Sequence, residues 1–185
     1  RNAEIIRDCS RVAARLGCKG LSFEVGDIAT HESHEHVHMA VSLHACDTAT
    51  DYALAQAVRW QAEVILAVPC CQHEVANLVR ADDLAPILDQ GILKDRLAAI
   101  VTDAMRAKCL EICGYRTQVV EFIDMEHTAK NVLIRATRGR SDAAARCRHF
   151  AELQQLQLRL GLERFALQTA LGIDVGADGE RIVEP

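Results

Sequence analysis

Met39-Ala40-Val41-Ser42-Leu43-His44-Ala45 runs straight into Cys46-Asp47-Thr48-Ala49-Thr50-Asp51, and this junction decides how the chain is read. The first seven residues form a near-continuous apolar run of the kind buried on both faces of a parallel sheet. The next six are small and polar and open a helix, with Thr48 as the expected cap and Tyr52, Leu54, Ala55 and Val58 continuing it. Ala62 to Val68 repeats the apolar run, and Pro69 closes it before the corner Cys70-Cys71-Gln72-His73. Two strands with a helix between them make an α/β unit.

Working outward, Ile5, Ile6, Cys9, Val12, Ala13 and Leu16 recur at offsets of three and four. That spacing predicts an amphipathic helix over 3–16, stopped by Gly17. Leu21 to Ile28 reads as a short strand ending in Gly26-Asp27-Ile28, and a polar loop with His31, His34, His36 and His38 follows. Downstream, helices are expected over 73–80 and 91–113. Strands follow over 116–124 and 131–137, with no long helix between them, so they should pair antiparallel. Phe150, Leu153, Leu156 and Leu160 mark a last helix over 142–160, and the tail after Gly172 is rich in glycine and acid. The alternation implies an α/β fold, a mostly parallel sheet covered by helices that closes on one antiparallel strand.

At 185 residues, 50% hydrophobic and 25% charged, the chain suits one globular domain with a sizeable core. Its net charge of −5 supplies no global field for nucleic acid. An RNA partner would have to meet a local patch, such as Arg135, Arg138, Arg140, Arg146 and Arg148 could offer, or another domain. No stretch reaches the roughly 20 apolar residues of a membrane span, so no membrane partner is expected. The eight cysteines lack the spacing of a stapled scaffold, which points to a reducing, cytoplasmic setting.

Three segments carry a more specific signal: Leu43 to Asp51, Val68-Pro69-Cys70-Cys71-Gln72-His73-Glu74, and His127-Thr128-Ala129-Lys130-Asn131-Val132-Leu133-Ile134-Arg135-Ala136. Together, over about residues 1–140, they resemble the methyltransferase family that includes the Trm13-type tRNA 2′-O-methyltransferases. The resemblance implies a class I methyltransferase with a Rossmann-like sheet. Residues 21–28 would be its strand 3, 39–45 strand 4, 62–68 strand 5, and the closing hairpin strands 6 and 7. Strands 1 and 2, with the glycine-rich loop and the ribose-binding acid, have no counterpart from Arg1 onward. Residues 1–140 would then be the C-terminal portion of the domain, and 141–185 a helix and tail packed on it. An upstream segment of the polypeptide, or a partner chain, would complete a sheet whose strand 4 otherwise presents an open apolar edge.

In an open α/β sheet, ligands sit beyond the carboxyl ends of the strands. The resemblance implies S-adenosyl-L-methionine as cofactor, with Asp27 accepting from the adenine amino group, Ile28 packing on the ring, and His44 and Ala45 bordering it. Asp27 could instead cap a turn. His44, Cys46 and Asp47 are the candidate catalytic residues, since a carboxylate or imidazole in reach of an acceptor hydroxyl can serve as base. The competing role for Asp47 is a helix cap. Cys70, Cys71, Gln72, His73, Lys130 and Asn131 are the candidate substrate-binding residues, with Lys130 placed to contact phosphate. Cys46 and Cys70 also suggest a cysteine-dependent cytosine-5 RNA methyltransferase, although no proline precedes the first. Zinc-ligand residue types are present, but no Cys-X2-Cys pair is, and strand-end packing explains the cysteines, so no metal is assigned. The activity that the resemblance implies is methyl transfer to RNA, with a tRNA-like substrate; the alternative is a non-catalytic methyltransferase-like scaffold.

Overall fold

The computed structural model describes residues 3–33, 35–43, 45–121, 131–139 and 142–173. It divides into two compact units, Arg1–Glu32 and Ser33–Pro185. In the first, helix α1 spans Ala3–Arg15, as the spacing predicts, and Gly17 turns the chain at φ 68. Residues 21–28 do not form the expected strand. A strand persists only where a neighbour takes up its backbone N–H and C=O groups, and no ladder among the described residues includes this stretch. β-propensity without a partner leaves extended coil.

The second unit holds β1 (Met39–Leu43), α2 (Thr48–Arg59), β2 (Val64–Val68), α3 (Glu74–Leu78), a 3-10 turn (Asp82–Leu84) and α4 (Ala85–Leu88). It continues with α5 (Gly91–Ile112), β3 (Tyr115–Glu121), β4 (Val132–Arg138), α6 (Ala143–Arg159) and α7 (Ala166–Ala170). The turn, α4 and α7 have no counterpart in the periodicity argument. Each is five residues or fewer, too short for a pattern to show.

The four strands form one mixed sheet in the order β1-β2-β4-β3. β1 and β2 are parallel, with Leu43 opposite Val68, while β4 is antiparallel to both β2 and β3. Three strands therefore point one way and β4 alone the other. This is an α/β arrangement compatible with a methyltransferase-like fold. The two-residue period sorts the faces: Ile65, Ala67, Ile134 and Ala136 are buried in one core with Leu54 of α2 and Met105, Cys109 and Leu110 of α5. Burying each of the larger aliphatic side chains contributes about 1.5–3 kcal/mol. α6 packs on α5 and α7 on α2.

The Met39–Leu43 run departs from the expectation of burial on both faces. β1 is an edge strand, and Met39, Val41 and Leu43 remain 53%, 55% and 62% exposed. Hydropathy reports what a strand can bury, not whether a layer is there to bury it. Among the described residues, no helix is long and apolar enough to cross a membrane.

Candidate functional site

Because β1 and β2 are parallel neighbours in register, their carboxyl ends deliver two corners to the same place. One carries Ala45, Cys46 and Asp47, the other Cys70 to His73. Cys46 Sγ lies 3.3 Å from Cys70 Sγ, and Cys70 Sγ lies 3.9 Å from Cys71 Sγ. The Asp47 N–H donates to the Cys71 carbonyl at 3.1 Å, tying corner to corner. The hydrogen bond to Cys70 pushes the Cys46 thiol up to about 12. That same bond lowers Cys70 from the ordinary thiol value, so Cys46 keeps its proton and Cys70 carries the greater thiolate character.

Asp47 is the strained residue of the site, with φ 51 and ψ −127. A non-glycine residue in such a region costs about 1–3 kcal/mol and persists only where its surroundings over-determine it. Here they do. Its carboxylate Oδ1 accepts the backbone N–H groups of His73 at 2.9 Å and Glu74 at 3.2 Å, and its carbonyl accepts Arg106 Nη2 at 3.0 Å. Asp47, one residue before the expected Thr48, is the N-cap position of α2, yet its side chain makes no cap bond to that helix. The carboxylate reaches across to the β2 corner instead.

Behind both corners sits a buried ionic cluster. Arg106 and Asp51 are each 1% exposed, and the guanidinium Nε and Nη2 grip the two Asp51 oxygens at 2.8 Å each. Arg106 Nη1 reaches Asp103 Oδ1 at 3.4 Å, and Gln72 Nε2 donates to the same oxygen at 3.1 Å. Burial alone would pull the Arg106 pKa down; the hydrogen bonds and charges of Asp51 and Asp103 more than offset this and raise it, so the cation persists. Planar forked pairing of this kind fixes direction as well as charge. It clamps the start of α2, the β2 corner and α5 to one another.

Beyond the corners a cleft of about 800 Å³ opens between α5, the β2 corner and the β3–β4 strands. Cys70, Cys71, Gln72, His73 and Asn131 all line it, so the fold gathers five of the six candidate substrate-binding residues at one surface. Lys130, the sixth, lies outside the described residues, as do His127, Thr128 and the candidate catalytic residue His44. Cys46 and Asp47 reach the cleft wall through their contacts with Cys70 and His73. The Ala45 carbonyl accepts the Thr50 hydroxyl at 2.5 Å. In the first unit, Asp27 Oδ1 accepts the Ala29 N–H at 3.0 Å, the local turn that an aspartate supplies readily, and Ile28 is exposed.

Arg106 and Asp103 were not singled out from the sequence. Their signal is two opposite charges three residues apart on a face of α5 that otherwise reads as core, beside Val101, Met105, Cys109 and Leu110. Charged groups are almost never fully buried unless paired. The cleft also receives Asp95, Arg96 and Glu121, giving a wall of mixed charge suited to a polar guest.

With this geometry in place, the comparisons with known proteins can be set beside it. A family model described as a methyltransferase domain matches residues 1–78, less than half of the chain. The match supports a methyltransferase, and it includes the three clustered cysteines and Asp47. No curated protein matches the chain, and no solved structure does.

Proposed function

We propose that the chain is the C-terminal portion of a class I methyltransferase that uses S-adenosyl-L-methionine and acts on RNA, with a tRNA-like substrate. The observation that carries this reading is the cleft beyond the β2 corner of a sheet with a single reversed strand. Five residues assigned to the acceptor side line it together. The domain match over 1–78 supports the reaction class. The RNA substrate rests on the sequence resemblance.

These residues fit the acceptor side of the transfer. Among the described residues, an added Cβ at Gly17, Gly20, Gly26 or Gly91 meets open space. At Gly161 it would strike the Arg80 carbonyl oxygen at 2.1 Å, a close approach within the fold. In this proposal the donor-holding elements come from an upstream segment or a partner chain that adds to the open edge of β1. The adenine-facing roles of Asp27 and Ile28, and the bordering roles of His44 and Ala45, belong to the same proposal. The sulfonium donor supplies an activated methyl group. The chain's part is to hold the acceptor in line with it, because orientation alone can account for several kcal/mol of a transfer barrier. In this proposal Cys46 and Asp47 border that position, His44 keeps the catalytic role that the resemblance implies, and Asp47 holds the β2 corner where the acceptor enters.

Calorimetry of the polypeptide as the cell makes it, titrated with S-adenosyl-L-methionine, tests the proposal. Saturable heat, followed by transfer of a radiolabelled methyl group to an RNA fraction, is expected. A folded protein that gives no heat would sink the methyltransferase reading in favour of a scaffold. Heat without label in RNA would sink the substrate assignment. Cytosine-5 chemistry has one observation in its favour, the thiols of Cys46 and Cys70 at neighbouring strand ends. It predicts a covalent adduct with RNA carrying 5-fluorocytosine, abolished by serine at one of the two positions.

A further inference from the structure

We infer that Cys46, Cys70 and Cys71 form a three-thiolate site for a soft metal ion of the zinc class, with the fourth coordination position left for water or a ligand from the cleft. The sequence spacing gives no hint of it, since two of the cysteines are adjacent and the third is 24 residues away. Strand pairing makes the cluster.

Distances favour an ion over the alternatives. Zinc bonds thiolate sulfur at about 2.3 Å, so two sulfurs on one tetrahedral ion stand about 3.8 Å apart. The measured separations are 3.3 Å and 3.9 Å, and all three sulfurs lie within 4.8 Å of one another. Adjustments of about 1 Å or less therefore bring the three to a common centre. A disulfide would need Cys46 and Cys70 to close to about 2.05 Å and would leave the third thiol unused.

The surroundings suit coordination as well. Thiolates select soft ions, and the Asp47 carboxylate, which reaches this corner, is occupied by two backbone N–H groups. Three protein ligands with an open fourth position is the pattern of zinc sites that do chemistry, whereas structural sites are closed by four. Cys46 is exposed and Cys70 and Cys71 are half-buried, which leaves a path for entry. Cys70 and Cys71 also line the cleft, so an ion held by them stands at its wall. The bond from the Asp47 N–H to the Cys71 carbonyl and the Arg106 clamp behind it supply the outer support that metal ligands need to hold direction. Binding converts three thiols into three coordinated thiolates, and the protons they carry pass to solvent.

This site stands independently of methyl transfer, but it conflicts with the cytosine-5 reading, because a coordinated sulfur is not available to attack a base. The test uses the whole polypeptide, reduced, dialysed against metal-free buffer and titrated with Zn²⁺ alone. One zinc per chain by elemental analysis is expected, with proton release on uptake. Co²⁺ in its place should give the near-ultraviolet charge-transfer band of cobalt thiolate. Cys46→Ser should weaken zinc by more than the roughly 10–100-fold typical of losing an outer-shell partner. Cys71→Ser should do the same, which keeps the test open if one variant folds poorly. Cys147→Ser, on the distant helix α6, should leave binding unchanged. The inference is overturned by no zinc on folded wild type, by zinc retained after both substitutions, or by zinc lost only with His36→Ala. Recovery of a Cys46–Cys70 disulfide from zinc-treated protein would also overturn it and leave a redox pair in its place.

Discussion

The two ends of the β1–β2 pair each gather three metal-ligating groups, and they differ in what stands behind them. At the amino ends, His36, His38 and Glu63 meet; His36 Nε2 pairs with Glu63 Oε1 at 2.8 Å, and the two imidazoles lie edge to face at 4.6 Å. All three are exposed. At the carboxyl ends, the three thiols meet over a strained aspartate and a buried arginine cluster. Proximity alone is therefore common to both ends and distinguishes neither. What separates them is over-determination. The Asp47 carboxylate and carbonyl, Gln72, Asp51 and Asp103 at the carboxyl end are tied to other elements by buried or partly buried side-chain bonds, while the side chains at the histidine end meet in an exposed pair.

The largest test of that contrast removes the support. Arg106→Leu should destabilise the protein by about 3–5 kcal/mol, because it takes the guanidinium from the buried Asp51 carboxylate and removes one of the groups that face Asp103. Urea unfolding followed by circular dichroism would read it. A loss below about 1 kcal/mol would mean the carboxyl-end corners do not lean on α5.

A smaller effect isolates Asp47. Asp47→Ala strips the acceptor from the N–H groups of His73 and Glu74 and should cost about 1–2 kcal/mol. Asp47→Asn retains an oxygen acceptor and tolerates positive φ, so it should recover most of that stability. If methyl transfer also falls with the asparagine, the carboxylate acts on the acceptor; if only the alanine is impaired, Asp47 positions the β2 corner. Paired unfolding and activity measurements on the two variants separate these.

The smallest effect is expected at the histidine end. The hydrogen bond from His36 lowers the Glu63 pKa below its ordinary 4.5. Its contribution to stability is therefore present above that value and disappears as pH falls through the lowered one. Glu63→Gln should differ only slightly from wild type in urea midpoint near neutrality, where surface screening limits the gain, and the difference should shrink as acid protonates Glu63. A large difference at pH 7 would erase the contrast between the two ends.

Much of the framework was legible because it depends on local periodicity. α1, α2, α5 and α6 fall within two residues of their expected bounds, and the β3–β4 pair is antiparallel as expected from its short connection. Leu21–Ile28 and the two-faced burial of β1 failed for one shared reason. Both expectations required a neighbouring layer, and a residue's hydropathy carries no information about whether its partner is present. The site divides along the same line. Cys70, Cys71, Gln72 and His73 could be placed with Asn131 because the first four follow β2 and the last precedes β4, and strand ends converge. Arg106 and Asp51 are 55 residues apart, and their grip depends on how α5 crosses α2, which no spacing within either helix encodes. The thiols of Cys46 and Cys70 could be placed near each other in the same way as the other strand-end residues, but not as a ligand set. The spacing of that set depends on which strands lie side by side, not on a short motif.

Among the described residues no strand pairs with the outer side of β1, which has a consequence for isotope exchange. In a parallel ladder, alternate peptide groups face the neighbour and the rest face outward. Deuterium should therefore enter Met39–Leu43 in an every-second-residue rhythm, with the amides turned toward β2 slow and the intervening ones fast. A strand docking on that side would make all of them slow at once, so this five-residue segment would record the arrival of any such strand.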